Sequence, residues 1–321
     1  MKVLVTGGAG FIGSHYVKLR LAKPSEPKVE ITVLDKLTYA GSTENLQEVA
    51  NQSNFNFIQG DICNEELVNK LIKDFDQVIH FAAESHVDNS IKSSEVFVKT
   101  NVQGTNTLLN ALKENPKVTF LHVSTDEVYG SISEGSWDER SPLMPNSPYA
   151  ASKASSDLLA LAYSKTYGLD IRISRCCNNY GPNQFPEKVI PLFITNLLNQ
   201  KRIPLYGTGS NFREWIHVND HCKALDLILE KGSAGNVYNI GSDFELSNSD
   251  LAKEILGIFQ QSEEMIDFVQ DRLGHDFRYS LNSNKIKELG FKCEIDFKDG
   301  LRETVNWYKD NENWWASKIN S

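Results

Sequence analysis

The sequence predicts an α/β protein built on a doubly wound parallel sheet, with a smaller mixed α/β region. Short runs of β-branched residues alternate with helical patterns through the first half of the chain, which is the rhythm of repeated βα units. The first such run leads directly into a glycine-rich segment, Gly7–Gly13. The 321 residues are enough for one large unit or for two closely joined domains.

Six runs have the apolar centres of strands that are buried on both faces, and they cover residues 2–6, 30–35, 55–61, 77–83, 118–124 and 170–176. From Gly181 onward, prolines interrupt a less regular pattern, which predicts helices over 190–199, 218–230, 249–260 and 297–309. Asn248 or Ser249 is expected to cap the third of these helices. We therefore predict one domain over residues 1–180 and a second mainly over 181–321, with some segments returning to the first.

The composition excludes several classes of partner. A net charge of −9 provides no basic surface for nucleic acid, so any phosphate site must be local. No stretch approaches the roughly 18 apolar residues of a membrane span, and the N-terminal residues run straight into a strand, which favours a cytoplasmic protein without membrane contact. The five cysteines show no CxxC spacing and are expected to be reduced.

The segment Gly7–Gly13 has the pattern of a dinucleotide-binding turn. Its glycines lie between a strand and a helix, where they allow a tight turn and a close approach to a pyrophosphate. Asp35 ends the next strand, where it can accept hydrogen bonds from the adenosine ribose hydroxyls. This order predicts a Rossmann domain that binds NAD, since an acid there repels the 2′-phosphate of NADP, although the neighbouring Lys36 weakens that argument.

Two further motifs carry acid–base groups. Tyr149 and Lys153 are four residues apart, which places a phenol and an ammonium on one face of a helix, where the lysine and a nicotinamide cation favour the ionised phenol. Asp126 and Glu127 follow the apolar strand that ends near Ser124, and ligands of an open parallel sheet lie beyond such strand ends. Two carboxylates there predict that one proton is given and another is taken.

These motifs together resemble a known family. The segments TGGAGFIG, STDEVYG, SPYAASKASSDLL, NNYGPNQFPEK and DRLGHDFRYS are similar to those of the extended short-chain dehydrogenases, and the similarity covers residues 2–315. Within them the chain looks like the dTDP-glucose 4,6-dehydratases, of which STDEVYG and NNYGPNQFPEK are typical. The resemblance implies a Rossmann domain with a nucleotide-sugar domain, in a homodimer formed through a helix bundle.

The resemblance also implies a mechanism. Tyr149 would take the proton of the C4 hydroxyl while a hydride passes to NAD, with Lys153 and Thr125 beside it. Glu127 would then remove the C5 proton, and Asp126 would protonate the departing C6 hydroxyl. Return of the hydride to C6 would regenerate a tightly bound NAD in each turnover.

The predicted binding residues fall into two sets. The cofactor site comprises Gly7, Gly10, Phe11, Ile12, Gly13, Asp35, Lys36, Leu37, Thr38, Asp61, Ile62, Phe81, Ala82, Ala83, Ser85, Thr100, Tyr149, Lys153 and Asn179. The nucleotide-sugar site comprises Ser85, Thr125, Asn178, Lys188, Val189, Pro204, Leu205, Tyr206, Arg213, Asn248, Arg272, His275 and Tyr279. No metal is expected, because the pair His217 and His221 has no third ligand at a suitable spacing.

Three alternatives remain open from the sequence. UDP-glucose differs from dTDP-glucose by a methyl group and a ribose hydroxyl, which one sequence does not resolve. A nucleotide-sugar 4-epimerase or decarboxylase uses the same glycine loop and the same pair Tyr149 and Lys153, but an epimerase needs no acid and base at C6 and C5. A catalytically silent NAD-binding regulator is the third alternative, and the presence of Thr125, Tyr149 and Lys153 argues against it.

Overall fold

The computed structural model describes residues 1–23 and 28–319. Residues 24–27 and 320–321, which belong to the two predicted domain ranges, lie outside the described part. The central element is a sheet of seven strands that are all parallel. The predicted α/β class with a doubly wound parallel sheet is confirmed.

The strands, in chain order, are β1 (Lys2–Thr6), β2 (Glu30–Asp35), β3 (Phe55–Gln59), β4 (Gln77–His80), β5 (Thr119–Thr125), β6 (Ile171–Cys176), β7 (Asn178–Tyr180), β8 (Ile203–Tyr206), β9 (Phe212–His217), β10 (Val237–Ile240), β11 (Glu245–Ser247) and β12 (Ile266–Val269). The helices are α1 (Phe11–Ala22), α2 (Glu65–Ile72), α3 (Val87–Lys92), α4 (Glu95–Phe97), α5 (Thr105–Lys113), α6 (Pro148–Tyr167), α7 (Val189–Leu198), α8 (Val218–Lys231), α9 (Asn248–Phe259), α10 (Asn284–Glu288), α11 (Phe297–Asp310) and α12 (Glu312–Ile319). A π-helical segment, Val98–Gly104, joins α4 to α5.

The order of the large sheet is β10-β6-β5-β4-β1-β2-β3. From β1 the chain adds β2 and β3 on one side, and it then returns to add β4 and the later strands on the other side of β1. A crevice opens at such a switch point beyond the carboxyl ends of the strands. Two predicted strands are too long, because β3 ends at Gln59 and β4 ends at His80. The residues that follow them leave the sheet and enter this crevice, where they are available to a ligand.

Helix α6 begins and ends where the sequence has strong signals. The Ser147 hydroxyl accepts a hydrogen bond from the Ala150 N–H, and Pro148 occupies the first turn, where a missing N–H costs nothing. Gly168 ends the helix in the left-handed conformation, with φ of 68°. The caps fix the start of α6 one residue before Tyr149, so the side chain of Tyr149 projects from the first turn in a defined direction.

The second half of the chain builds two small sheets, β11-β9-β7 and β12-β8. Helices α7, α9, α11 and α12 surround a separate apolar cluster beside them. The cap of α9 is Ser247, whose hydroxyl accepts from the Asp250 N–H, and not Asn248 or Ser249 as the sequence predicted. Strand β10 pairs with β6, and α8 packs against α1, so both elements lie with the large sheet.

The division near residue 180 remains our prediction. No helix in the described ranges is both long and apolar enough to cross a membrane.

Candidate active site

The glycine turn after β1 leaves room for a ligand that approaches the backbone. Gly7 has a φ of +71°, and a Cβ there would lie 2.5 Å from the Ala82 nitrogen. A Cβ on Gly13 would lie 2.3 Å from the Gly7 carbonyl oxygen, so α1 can pack closely only without a side chain. Gly10 faces open space apart from one carbonyl oxygen, and it immediately precedes α1. This arrangement fits the pyrophosphate of a dinucleotide at a helix N-terminus.

Asp35 is held at the end of β2 by two backbone donors. Its carboxylate accepts from the Ala9 N–H at 2.9 Å and from the Leu37 N–H at 2.8 Å. A carboxylate has further lone pairs, so these bonds orient Asp35 and leave capacity for ribose hydroxyls. Lys36 forms an ion pair with Asp61 at 2.8 Å. Because the Lys36 ammonium is paired with a carboxylate, Lys36 is a weaker argument for binding the 2′-phosphate of NADP.

One predicted cofactor residue is placed differently. Leu37 does not line the crevice, because its side chain packs against the core. Its backbone adopts a φ of 56°, which turns its N–H toward Asp35. The sequence shows that Leu37 follows the acid, but the direction of its side chain depends on this left-handed turn.

The other predicted cofactor residues line one continuous crevice, which we call the cofactor cleft. They are Gly7, Gly10, Phe11, Ile12, Gly13, Asp35, Lys36, Thr38, Asp61, Ile62, Phe81, Ala82, Ala83, Ser85, Thr100, Tyr149, Lys153 and Asn179. Thr125, Asp126 and Glu127 line the same cleft at the end of β5. The structure thus brings the glycine turn, the phenol and the carboxylates to one crevice.

Tyr149 and Lys153 are both buried at the inner end of the cofactor cleft. The Lys153 ammonium donates to the Val123 carbonyl at 2.8 Å, and burial lowers the pKa of this lysine to about 8. Burial, followed by the charge of Glu127, raises the pKa of Tyr149 well above its ordinary value. In the protein without a cofactor, burial and Glu127 thus favour the neutral phenol, and the expectation that Lys153 together with a nicotinamide cation favours the ionised form stays a prediction.

Asp126 and Glu127 have different electrostatic surroundings. Burial raises the pKa of Asp126 well above its usual range, and the charges of Glu127 and Glu214 raise it further. Burial also raises the pKa of Glu127, but Arg272, Lys188 and Arg213 oppose that shift. Burial favours the neutral form of both carboxyls, but three cations oppose this effect at Glu127, so the neutral form is favoured more strongly at Asp126, as an acid beside a base requires.

The Asp126 carboxyl also has an unused acceptor. The Thr125 hydroxyl donates to Oδ1 of Asp126 at 3.2 Å, whereas Oδ2 is buried without a partner. A buried polar atom without a partner costs free energy, so a ligand hydroxyl at this point is favourable. The Thr125 hydroxyl also accepts from the Glu127 N–H at 3.3 Å, which fixes the start of the turn.

A second crevice, the substrate cleft, lies between the large sheet and the smaller sheets. It contains the predicted residues Asn178, Lys188, Val189, Pro204, Leu205, Tyr206, Arg213, Asn248, Arg272, His275 and Tyr279. Ser85 and Thr125 line the cofactor cleft instead. Six residues line both clefts, namely Glu127, Asn178, Asn179, Gln184, Glu187 and Lys188. The two clefts therefore meet beside Glu127.

Three cations converge on the substrate cleft. The Lys188 ammonium is anchored on the Ser85 carbonyl at 2.7 Å. The Arg213 guanidinium is buried and lies 4.4 Å from the centre of the Tyr279 ring. Arg272 pairs with Asp88 at 3.6 Å, and its Nε is buried without a partner. Such a group of fixed cations in an acidic protein fits a diphosphate.

Some residues of the clefts were not singled out from the sequence. Asp88 lines the substrate cleft and contacts both Arg272 and the Tyr206 hydroxyl, which donates to it at 3.1 Å. Glu187 lines both clefts and accepts from the Tyr39 hydroxyl at 2.8 Å. Glu187 lies in the segment NNYGPNQFPEK, which was a signal for it, but no local pattern joins it to Tyr39.

His221 lies outside both clefts, but it contacts a residue that lines them. His221 hydrogen-bonds Asn179 at 2.8 Å, so it orients an amide at the edge of the cofactor cleft. Residues 1–23 and 28–319 contain no group of three or more His, Cys, Asp or Glu side chains that could hold a metal ion.

The fold and the site together define a nucleotide-sugar enzyme of the short-chain dehydrogenase type. The family described as GDP-mannose 4,6 dehydratase matches residues 4–304, and the chain belongs to this family. The resemblance to the nucleotide-sugar dehydratases, which the motifs predicted, is confirmed.

Individual relatives are similar over nearly their whole length. A dTDP-glucose 4,6-dehydratase of Streptomyces niveus is 54% identical over 318 residues, which cover 98% of this chain and 95% of that protein. The crystal structure of DesIV, a dTDP-glucose 4,6-dehydratase from Streptomyces venezuelae with NAD bound, has a TM-score of 0.96 at 52% identity and covers 99% of this chain and 100% of that one. A UDP-glucuronic acid 4-epimerase from Bacillus cereus has a TM-score of 0.90 at 30% identity, with 97% of this chain and 99% of that one covered.

Proposed function

We propose that this chain is an NAD-dependent hydro-lyase that converts dTDP-glucose into dTDP-4-dehydro-6-deoxy-glucose, for deoxysugar biosynthesis. The observation that carries the proposal is the pair Asp126 and Glu127 at the end of β5, in the same cleft as Tyr149 and Lys153. The high identity to named dTDP-glucose 4,6-dehydratases supports the same reaction.

The residues of the chain divide the chemistry between them. When bound, NAD supplies a reversible acceptor for the hydride of the sugar. Burial raises the pKa of the Tyr149 phenol, so its role as base requires the nicotinamide cation of bound NAD and the nearby Lys153 to favour the ionised form. The Tyr149 oxygen would then take the proton of the C4 hydroxyl, with Thr125 and Lys153 in the same cleft. Glu127, kept ionisable by three cations, removes the C5 proton, which is acidic beside a C4 ketone. Asp126, kept neutral by burial, protonates the C6 oxygen, which leaves as water.

The binding roles follow the two clefts. Arg213, Arg272 and Lys188 bind the diphosphate, while Pro204 and Tyr206 form part of the wall beside the base. We assign the nucleotide-sugar domain mainly to residues 181–321 and the NAD-binding domain to residues 1–180. A cytoplasmic homodimer is part of the proposal.

A 4-epimerase is the second candidate, because an epimerase shares this fold at a TM-score of 0.90. Epimerisation uses the phenol and the cofactor alone, and it gives no role to a buried Asp126 with an unpaired oxygen. The carboxylate pair therefore favours elimination. A silent regulator is disfavoured for the same reason, since it has no use for two carboxylates in different protonation states.

The deciding experiment is incubation of the purified protein with dTDP-glucose and, separately, with UDP-glucose, without added NAD. We expect a 4-keto product, followed by its absorbance in alkali, with faster formation from dTDP-glucose. Formation without added NAD shows that the cofactor is retained from the cell. Formation of a C4 epimer without any 4-keto-6-deoxy product, or no turnover of either sugar, would contradict the proposal.

A further inference from the structure

A group of buried polar side chains lies behind the catalytic residues and lines neither cleft. Asp157, Arg175 and Tyr129 are 0%, 2% and 0% exposed. Burial of an ion pair costs several kcal/mol per charge before the pairing is counted, and apolar residues of similar volume often stabilise a fold equally well. Stability alone is therefore a weak reason for this group.

The group connects the two parts of the proposed active site. Asp157 is one turn beyond Lys153 on α6, and its carboxylate accepts from the Arg175 Nε at 2.8 Å. Arg175, on β6, donates from Nη1 to the Tyr129 hydroxyl at 2.8 Å. Tyr129 ends the 3₁₀ turn Asp126–Tyr129, which begins with the proposed acid and base. A continuous path of short contacts thus runs from α6 to that turn.

The hydroxyl of Tyr129 is held from both sides. It accepts from Arg175 and donates to the Asn239 side-chain oxygen at 2.8 Å. The Arg175 guanidinium also lies 4.8 Å from the centre of the Tyr129 ring. Asn239 is fixed in turn, because its amide donates to the Trp137 carbonyl at 3.0 Å. The position of the turn is therefore set by α6, β6 and β10 together.

We propose that Asp157, Arg175 and Tyr129 are positioning residues that hold the Asp126–Tyr129 turn in register with α6. This inference rests on the proposed function. The sugar that is oxidised beside Tyr149 then already has C5 and C6 placed against Glu127 and Asp126. The elimination step depends on this register, whereas the oxidation step depends on Tyr149, Lys153 and the glycine turn, which do not belong to the Asp126–Tyr129 turn.

The test variant is Tyr129→Phe, which removes the hydroxyl but keeps the ring against Arg175. A misplacement of catalytic groups by about 1 Å can cost 10²-fold, so we expect elimination in a single turnover to slow by at least about tenfold. The oxidation rate and the KM for dTDP-glucose should stay within about twofold of wild type, because those contacts are untouched. Reduced nicotinamide should then accumulate, and exchange of the C5 hydrogen with solvent deuterium should slow.

A matched control separates positioning from stability. Tyr238 on β10 is also buried, its hydroxyl accepts from the Ser233 N–H at 2.8 Å, and Lys285 lies 4.7 Å from its ring centre. Tyr238→Phe removes an equivalent buried hydroxyl that has no link to the turn. Both variants should lower the melting temperature, but only Tyr129→Phe should change the ratio of elimination to oxidation.

A second variant, Arg175→Lys, keeps a cation beside Asp157 but loses the guanidinium group whose second nitrogen reaches Tyr129. It should therefore also slow elimination without slowing oxidation.

A wild-type rate of elimination in Tyr129→Phe, or equal slowing of oxidation and elimination, would overturn the inference. Absence of 4-keto product from the wild-type protein would instead show that the proposed function is wrong, and the inference would fail with it.

Discussion

At the scale of single residues, the difference between Asp126 and Glu127 is one of surroundings, since both are carboxylic acids and they are neighbours in the chain. Asp126 has Glu127 and Glu214 as nearby anions, which favour its neutral form. Glu127 has Arg272, Lys188 and Arg213 on its other side, which favour its ionised form. The three cations that suit a diphosphate therefore also oppose the effect of burial on the pKa of the proposed base.

A pH profile tests these assignments. Glu127 must be ionised, so elimination should decline as the pH falls through its raised pKa, and Asp126 must be protonated, so elimination should also decline as the pH rises through its own raised pKa. Glu127→Gln should lose at least about 10²-fold in single-turnover elimination together with the acidic limb. Asp126→Asn should lose a similar factor together with the alkaline limb.

The matched control is Glu134→Gln, which changes an exposed carboxylate a few residues further on. It should retain both limbs and the full rate. All three variants should retain NAD and bind the nucleotide sugar. A pH profile of unchanged shape in Glu127→Gln and Asp126→Asn would refute the acid and base roles.

At the scale of elements, the loop after β2 and the segment before α7 meet across the cofactor cleft. The Tyr39 hydroxyl donates to Glu187 at 2.8 Å, and the Tyr39 ring meets Phe185 edge-on at 5.3 Å. Phe185 and Glu187 line the cleft that holds the glycine turn. This contact joins two segments at the border of the cofactor cleft, so it opposes their separation when a cofactor is released.

Loss of this contact should weaken retention of the cofactor. One hydrogen bond contributes about 0.5–1.5 kcal/mol, so Tyr39→Phe should speed NAD dissociation by roughly two- to tenfold. The measurement is the rate of NAD release into an excess of a scavenging dehydrogenase. Tyr163→Phe is the control, because that hydroxyl donates to Asn110 of α5 at 2.7 Å and Tyr163 does not line the cofactor cleft. Equal release rates for the two variants would contradict a role for Tyr39.

At the scale of the whole molecule, one surface carries apolar side chains that no other part of the described structure covers. Leu158 on α6 is 57% exposed, and Val98 and Val96 beside that helix are 54% and 43% exposed. These elements pack against one another in the described structure. The surface agrees with the proposed homodimer, in which α6 would supply part of the helix bundle.

A charge on this surface should separate the subunits. Leu158→Asp buries a charge in the proposed interface, so sedimentation should show a monomer with unchanged circular dichroism. Phe268→Asp is the control, because Phe268 is 65% exposed on β12, which belongs to a small sheet and not to the proposed interface. That variant should remain a dimer. A dimeric Leu158→Asp protein would place the interface elsewhere.

Much of the fold follows from local signals. The strand centres, the glycine turn, and Ser147, Pro148 and Gly168 around α6 carry their own conformational preferences. Strand ends were predicted less well, because β4 stops at His80, where its pairing with both β1 and β5 ends. The residues beyond remain apolar, since they face a ligand cleft instead of a neighbouring strand.

The sequence by itself determined the class of fold and the family, and it singled out the residues that we propose exchange protons or bind phosphates, because each lies in a short segment with its own chemistry. Only the tertiary structure decided how those groups act on one another. It brings Arg213 and Arg272 to Glu127, pairs Lys36 with Asp61, and joins Asp157 to Tyr129 through Arg175. Electrostatic effects depend on distance in space and on burial, and neither quantity is encoded in any local stretch of the chain.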